Sequence, residues 1–139
     1  MVYFLENNPS RNITIFSQSV PNFVDYRDRT QSFESLIGSD VRNVNLSNDF
    51  ARPDQANSVQ ISPGLAMRSA GHLVMGGGFL PEENTPGGPA VVVIGEHVWR
   101  ERFDADPAVL ERTLDIDRVP HRIIGVIGRH AEILGPCDV

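Results

Sequence analysis

The feature that most constrains this chain is the run Val91-Val92-Val93-Ile94, set between Pro89 and Gly95. Four β-branched residues in succession have no polar face to turn toward water. Such a run predicts a central strand buried on both faces. The residues that follow, Glu96 to Phe103, predict a short helix with Trp99 and Phe103 one turn apart on the same face. Strand followed by helix at this point sets a mixed α/β character for the chain.

The remaining segments extend that reading. Val2 to Leu5 reads as a short strand broken by Asn7-Asn8-Pro9-Ser10, with a second short strand at Ile13 to Phe16. A helix beginning near Pro21 carries Phe23, Tyr26, Phe33 and Ile37 on one face and ends at Gly38. Asp25, Arg27, Asp28 and Arg29 then face water. Val41, Val44 and Leu46 predict an irregular strand, Asn48-Asp49 a turn, and residues 56–62 a half-buried strand. Ser62-Pro63 predicts a helix start, with Leu65, Ala66, Ser69, Ala70 and Leu73 on its narrow face. Gly76-Gly77-Gly78 and residues 84–89 mark loops, between which Phe79 and Leu80 dock as an anchor. Asp106-Pro107 starts another helical turn. Thr113 to Asp117 alternates with Leu114 and Ile116 inward, Arg118-Val119-Pro120 forms the turn region, and Arg122 to Ile127 completes a C-terminal hairpin. The order β-α-β-β-α-β-α-β-β predicts an α+β (mixed α/β) domain over residues 1–139, one sheet with helices packed on one face.

A chain of 139 residues can bury roughly two-thirds of its unfolded surface. It needs neither disulfide nor metal to fold. Twelve basic against 18 acidic residues, net −6, argue against nucleic acid as a partner. All twelve basic residues are arginine. Without lysine there is no Schiff-base chemistry and no phosphate-binding loop of the Walker type. Cys137 alone forms neither an internal disulfide nor a cysteine-based zinc site. No segment reaches the roughly 18 consecutive apolar residues of a membrane span. The N-terminus lacks the basic start and apolar core of a signal peptide, so any targeting is expected to lie outside these residues.

Candidate chemistry is sparse. His72, His97, His121 and His130 fall on four different predicted elements. His97 and Glu101 share one helix face, but a metal needs three or four convergent ligands, and a solvated helix face is the simpler reading. Gly76–Gly78 lacks the last glycine of a dinucleotide fingerprint, because Pro81 stands in its place. Glu82-Glu83 reads as a solvated turn. Cys137 with His130 is a terminal and unsupported pair. No catalytic residue, metal ligand or cofactor is assigned. Trp99 reads as core first and as an interface anchor second, and Phe79, Leu80 and Trp99 are the candidate interface residues.

One ordered set of segments carries a family likeness. Ser19-Val20-Pro21-Asn22-Phe23-Val24-Asp25-Tyr26-Arg27 leads into Gln31-Ser32-Phe33-Glu34-Ser35-Leu36. Gly78-Phe79-Leu80-Pro81-Glu82-Glu83 follows. Then come Val91–Ile94, Trp99-Arg100-Glu101-Arg102-Phe103, Asp106-Pro107 and Ile123-Ile124-Gly125-Val126-Ile127. Taken in order, this series resembles the periplasmic core domain of MacB-type (FtsX-like) ABC transporter permeases, from about Val2 to Val139. The chain departs from the family at Leu65-Ala66-Met67, where an aromatic pair is usual. It departs again at Gly77-Gly78, where Gly-Arg is usual, and at Asp117-Arg118, where Asn-Gly is usual.

The resemblance implies a non-enzymatic, extracytoplasmic domain that couples motion of a cytoplasmic ATPase to substrates or partner proteins outside. It implies partners in the rest of the permease and its ATPase, and contact with the membrane only through flanking helices that these residues do not include. It also implies that the chain holds about the first half of such a domain. A half-domain exposes sheet edges and apolar surface, so self-association or a rearranged compact fold is expected. Two alternatives stand beside this one. A stand-alone ligand-binding or adaptor domain would show a deep apolar pocket. A small hydrolase would gather its carboxylates and histidines in one cleft.

Overall fold

The computed structural model describes residues 6–8, 13–16, 20–31, 37–48, 51–62, 72–84, 87–128 and 138–139. The chain divides into two units, Met1–Gly38 and Ser39–Val139.

In the first unit, β1 (Glu6–Asn8) pairs antiparallel with β2 (Ile13–Phe16). The expected strand at residues 2–5 lies outside the described residues. The strand that is seen includes the two asparagines read as its breaker. Main-chain pairing to β2 outweighs the weak strand preference of asparagine. The helix α1 (Val20–Arg29) ends nine residues before Gly38, where the apolar spacing had placed its end. Tyr26, assigned to the inward face, is 52% exposed, which leaves Phe23 as the partly buried ring on that side. One such ring gives little reason for the helix to continue. Thr30 N–H closes the last turn on Tyr26 O, and Arg27 and Arg29 sit at the C-terminal end, where the helix dipole favours cations. Asp25, Arg27, Asp28 and Arg29 are exposed as expected.

The second unit is a six-stranded sheet. The hairpin of β3 (Ser39–Asn48) and β4 (Ala51–Ile61) runs in continuous register from Ser39↔Ile61 to Leu46↔Asp54. Then come β5 (Leu73–Gly76), β6 (Val91–Gly95), the helix α2 (Glu96–Phe103), β7 (Thr113–Ile116) and β8 (Val119–Ile127). Strand β8 organises the sheet. Its first half pairs antiparallel with β7 and its second half antiparallel with β5, while β6 runs parallel along its other edge. β3 joins β7 through Leu46↔Ile116. The α+β class stands. The helix expected from Pro63 falls on residues outside the description, but Leu73, placed on its face, belongs instead to strand β5.

Two expectations about β6 separate. Burial holds: Val92, Val93 and Ile94 are all buried. Central position does not, because among the described residues β6 pairs with β8 alone. The helix that follows directly, α2, packs against β6 and β8, and Asp138–Val139 lies against its end. Cover by these neighbours explains why an edge strand needs no polar residue.

The remaining local readings fare well. α2 matches its expected bounds. Asp106 caps the 3-10 turn Pro107–Glu111 by accepting from Ala108 N–H. The hairpin turn is tighter than Arg118-Val119-Pro120: Asp117 and Arg118 both have positive φ, 50° and 70°, and β8 already begins at Val119. Two left-handed residues match the twist of the flanking strands. Gly76 closes β5 at φ +75°, where a Cβ would meet the carbonyl oxygen of Ile124. Only glycine fits so near a neighbouring strand.

The core gathers Leu46, Ile94, Val109, Leu114, Ile123 and Val126, each at most 1% exposed. Each such side chain contributes about 1.5–3 kcal/mol by leaving water. Phe103 is buried beside them and Trp99 packs on the margin, with its Nε1 donating to Asp106 O at 2.9 Å. Trp99 is thus partly buried at the margin of the core.

Candidate functional site

Strands β4 and β6, each paired with one other strand among the described residues, face a common groove of about 590 Å³. Val59 and Ile61 of β4 line it on one side, and Val91 and Val93 of β6 on the other. Phe79 reaches it from the loop after β5, and Val119 from the start of β8. Strand period explains the wall chemistry. On β4, Ala56 and Ser58 are buried, whereas Gln55 and Asn57 between and beside them are exposed.

Asp138 and Val139 close one end of this groove. The Val59 N–H donates to Val139 O at 2.9 Å, and Val139 N–H donates to Asn57 O at 3.3 Å. Gly95 N–H donates to Asp138 O at 2.7 Å, and Asp138 N–H to Asn57 O at 2.8 Å. These two residues thus bond to both edge strands. The Asp138 carboxylate adds two bonds. Its Oδ2 accepts from Asn57 N–H at 2.7 Å, and its Oδ1 lies 2.5 Å from His97 Nε2 at the start of α2. The Val139 side chain is buried.

A second clasp fixes the loop that carries Phe79 and Leu80. Glu83 Oε2 accepts from Leu80 N–H at 2.9 Å, and Glu83 N–H returns a bond to Leu80 O at 3.0 Å. Glu83 Oε1 accepts from Arg122 of β8 at 2.9 Å. The Glu83 side chain is only 5% exposed, so its partner offsets the desolvation of a carboxylate. Both clasps join residues far apart in the chain.

The three candidate interface residues do not converge. Phe79 lines the groove, half-buried. Leu80 is 51% exposed beside it, and Trp99 sits on α2 away from the groove lining. His97 turns to Asp138 rather than pairing with Glu101 toward a metal. Glu82 and Glu83 part company, Glu82 exposed and Glu83 buried on Arg122. His121 Nδ1 bonds the Val119 carbonyl at 2.7 Å, and His72 is exposed. Cys137 and His130 lie outside the described residues. Among the described residues no three His, Cys, Asp or Glu side chains gather as a metal site, and no helix is long and apolar enough to cross a membrane. The Asp138 clasp was not readable in advance, because Asn57, His97 and Asp138 become neighbours only through the fold.

The sequence matches the MacB-like periplasmic core domain family over residues 3–135, and the chain belongs to that family, a domain of ABC transporter permeases. The fold is similar to the crystal structure of the periplasmic region of MacB from Actinobacillus actinomycetemcomitans. That similarity has a TM-score of 0.69 at 18% identity and covers 91% of this chain and 59% of that one. The chain thus spans less than two-thirds of the solved region it matches. No curated protein matches the sequence significantly.

Proposed function

We propose that this chain is part of a larger extracytoplasmic core of an ABC transporter permease, without enzymatic activity. It relays motion driven by the partner ATPase to substrates or proteins outside the cytoplasm. The family match over residues 3–135 carries this reading. The geometry supports it: the Asp138 and Glu83 carboxylates are spent on holding distant segments of the chain to one another. Its partners are then the rest of the permease and, through it, the ATPase. The membrane is reached only through helices flanking these residues. Phe79 and Leu80 form the contact surface toward neighbouring parts, because Glu83 and Arg122 hold them at the groove. Trp99 contributes from α2 through its exposed edge.

The test labels Leu80→Cys, in a Cys137→Ser background, with an environment-sensitive fluorophore. The full-length permease is reconstituted with its ATPase in lipid vesicles. The expected result is a fluorescence change on adding ATP that is lost when a hydrolysis-deficient ATPase is used. An unchanged signal through rounds of hydrolysis would remove the coupling role.

A further inference from the structure

From the direction in which Val139 enters the groove, we infer that the groove between β4 and β6 is a strand acceptor. Its occupant is the polypeptide that continues from Val139 in the larger core. The inference rests on the reading of the chain as part of such a core, and on three observations.

The first is a ladder already begun. Val139 N–H goes to Asn57 O, and Val139 O receives Val59 N–H. Bonds from one residue to the two neighbours of Ser58 are the pattern of parallel pairing. The segment therefore runs parallel to β4. β4 runs opposite to β3, β3 to β7 and β7 to β8, while β8 and β6 run together. A strand parallel to β4 is consequently antiparallel to β6.

The second is that the groove lies ahead of Val139 in both directions of pairing. Going forward along β4 from Ser58 leads to Val59, Gln60 and Ile61. Going backward along β6 from Gly95 leads to Val93 and Val91. All of these line the groove.

The third is the orientation of the main chain. Arg122 N–H donates to Ala90 O, so alternation turns Val92 and Ile94 toward β8, and Val91, Val93 and Gly95 away from it. Gly95 N–H already uses that outward sense to reach Asp138. On β4 the outward set is Asn57, Val59 and, by the same alternation, Ile61. The first residue past Val139 meets Val93, the second receives Ile61 N–H, and the third meets Val91. Asp138 is the fixed point of this register, held by Asn57 and His97.

The test extends the 139-residue chain at Val139 with an alternating Val/Thr segment of about six residues, a usual strand length. A control extension carries proline at every second position, which cannot donate to a ladder. Amide exchange of Ile61, Val93 and Val91 is followed by NMR at several concentrations, and Ile123 and Val126 report that each chain is folded. The expected result is slowing by about tenfold or more at Ile61 and Val93 with the Val/Thr segment only, independent of concentration. The same peptide added in trans to the unextended chain is expected to reproduce the slowing on saturation, which tests the site even if the fusion folds poorly.

Equal exchange with and without the segment would overturn the inference. So would equal slowing by the proline control, which would mean covering without pairing. Slowing in the unextended chain that vanishes on dilution would overturn it in favour of a second copy as occupant. None of these outcomes touches the ATP-dependent signal at residue 80, so the two readings fail separately.

Discussion

Strands β4 and β6, each paired with one other strand among the described residues, meet the problem of an open edge differently. β4 is long and leaves Asp54, Gln55, Asn57 and Gln60 exposed, and Asp138–Val139 bonds its edge only at Asn57 and Val59. β6 is five residues long, apolar throughout, and depends on α2 and on Asp138–Val139 for cover. Exposed polar side chains protect β4 where neighbouring chain does not reach it, whereas β6 has neighbouring chain alone for protection. An apolar edge strand therefore marks where other polypeptide belongs, and a long polar one can be covered over part of its length and open to water over the rest. The groove lies where these two edges meet at Asp138–Val139.

That contrast can be broken most directly in the core. Ile94→Ala on β6 removes a fully buried side chain and is expected to cost about 3–4 kcal/mol. Val41→Ala on β3, the partner of β4, removes a side chain that is 62% exposed and should stay within about 0.5 kcal/mol. Denaturant midpoints measure both. Comparable losses would mean that the hairpin and β6 are not differently supported.

The next effect lies at the loop clasp. Arg122→Met strands a nearly buried carboxylate and is expected to lower stability by about 1–3 kcal/mol. Pairing it with Glu83→Gln should recover part of that loss, since the orphaned charge is gone. A double variant no better than the sum of the singles would show that the ion pair contributes little.

A smaller loss is expected from Asp138→Ala, at about 1–2 kcal/mol for two side-chain bonds in a partly exposed setting. Its sharper signature is local: faster amide exchange at Asn57, Val59 and Gly95, with Ile123 unaffected. Uniformly faster exchange would make Asp138 a general stabiliser rather than the tie between two edges.

Much of this fold is visible in the sequence wherever the signal is local. The span of α2, the Asp106 cap and the inward turn of Leu114 follow from spacing and capping chemistry within a few residues. The run Val91–Ile94 announces burial but not pairing, because periodicity reports the faces of a strand and is silent about its edges. Strand β5 is hidden because Leu73-Val74-Met75 is short and continues the apolar spacing of the preceding segment. The groove and its clasp are beyond sequence reading for a plainer reason. Asn57 and Asp138 stand 81 positions apart, and His97 and Asp138 stand 41 apart. Pairings of that range leave no local pattern. The family was legible all the same, since it rests on the order of many short segments rather than on any one contact.

A domain that works on the outer side of a membrane exposes Leu80 to reagents that do not cross it. Thiol labelling in cells that express the full-length protein with Leu80→Cys and Cys137→Ser measures this directly. A membrane-impermeant maleimide is expected to react with residue 80 while the inner membrane is intact. Labelling only after that membrane is disrupted would contradict it.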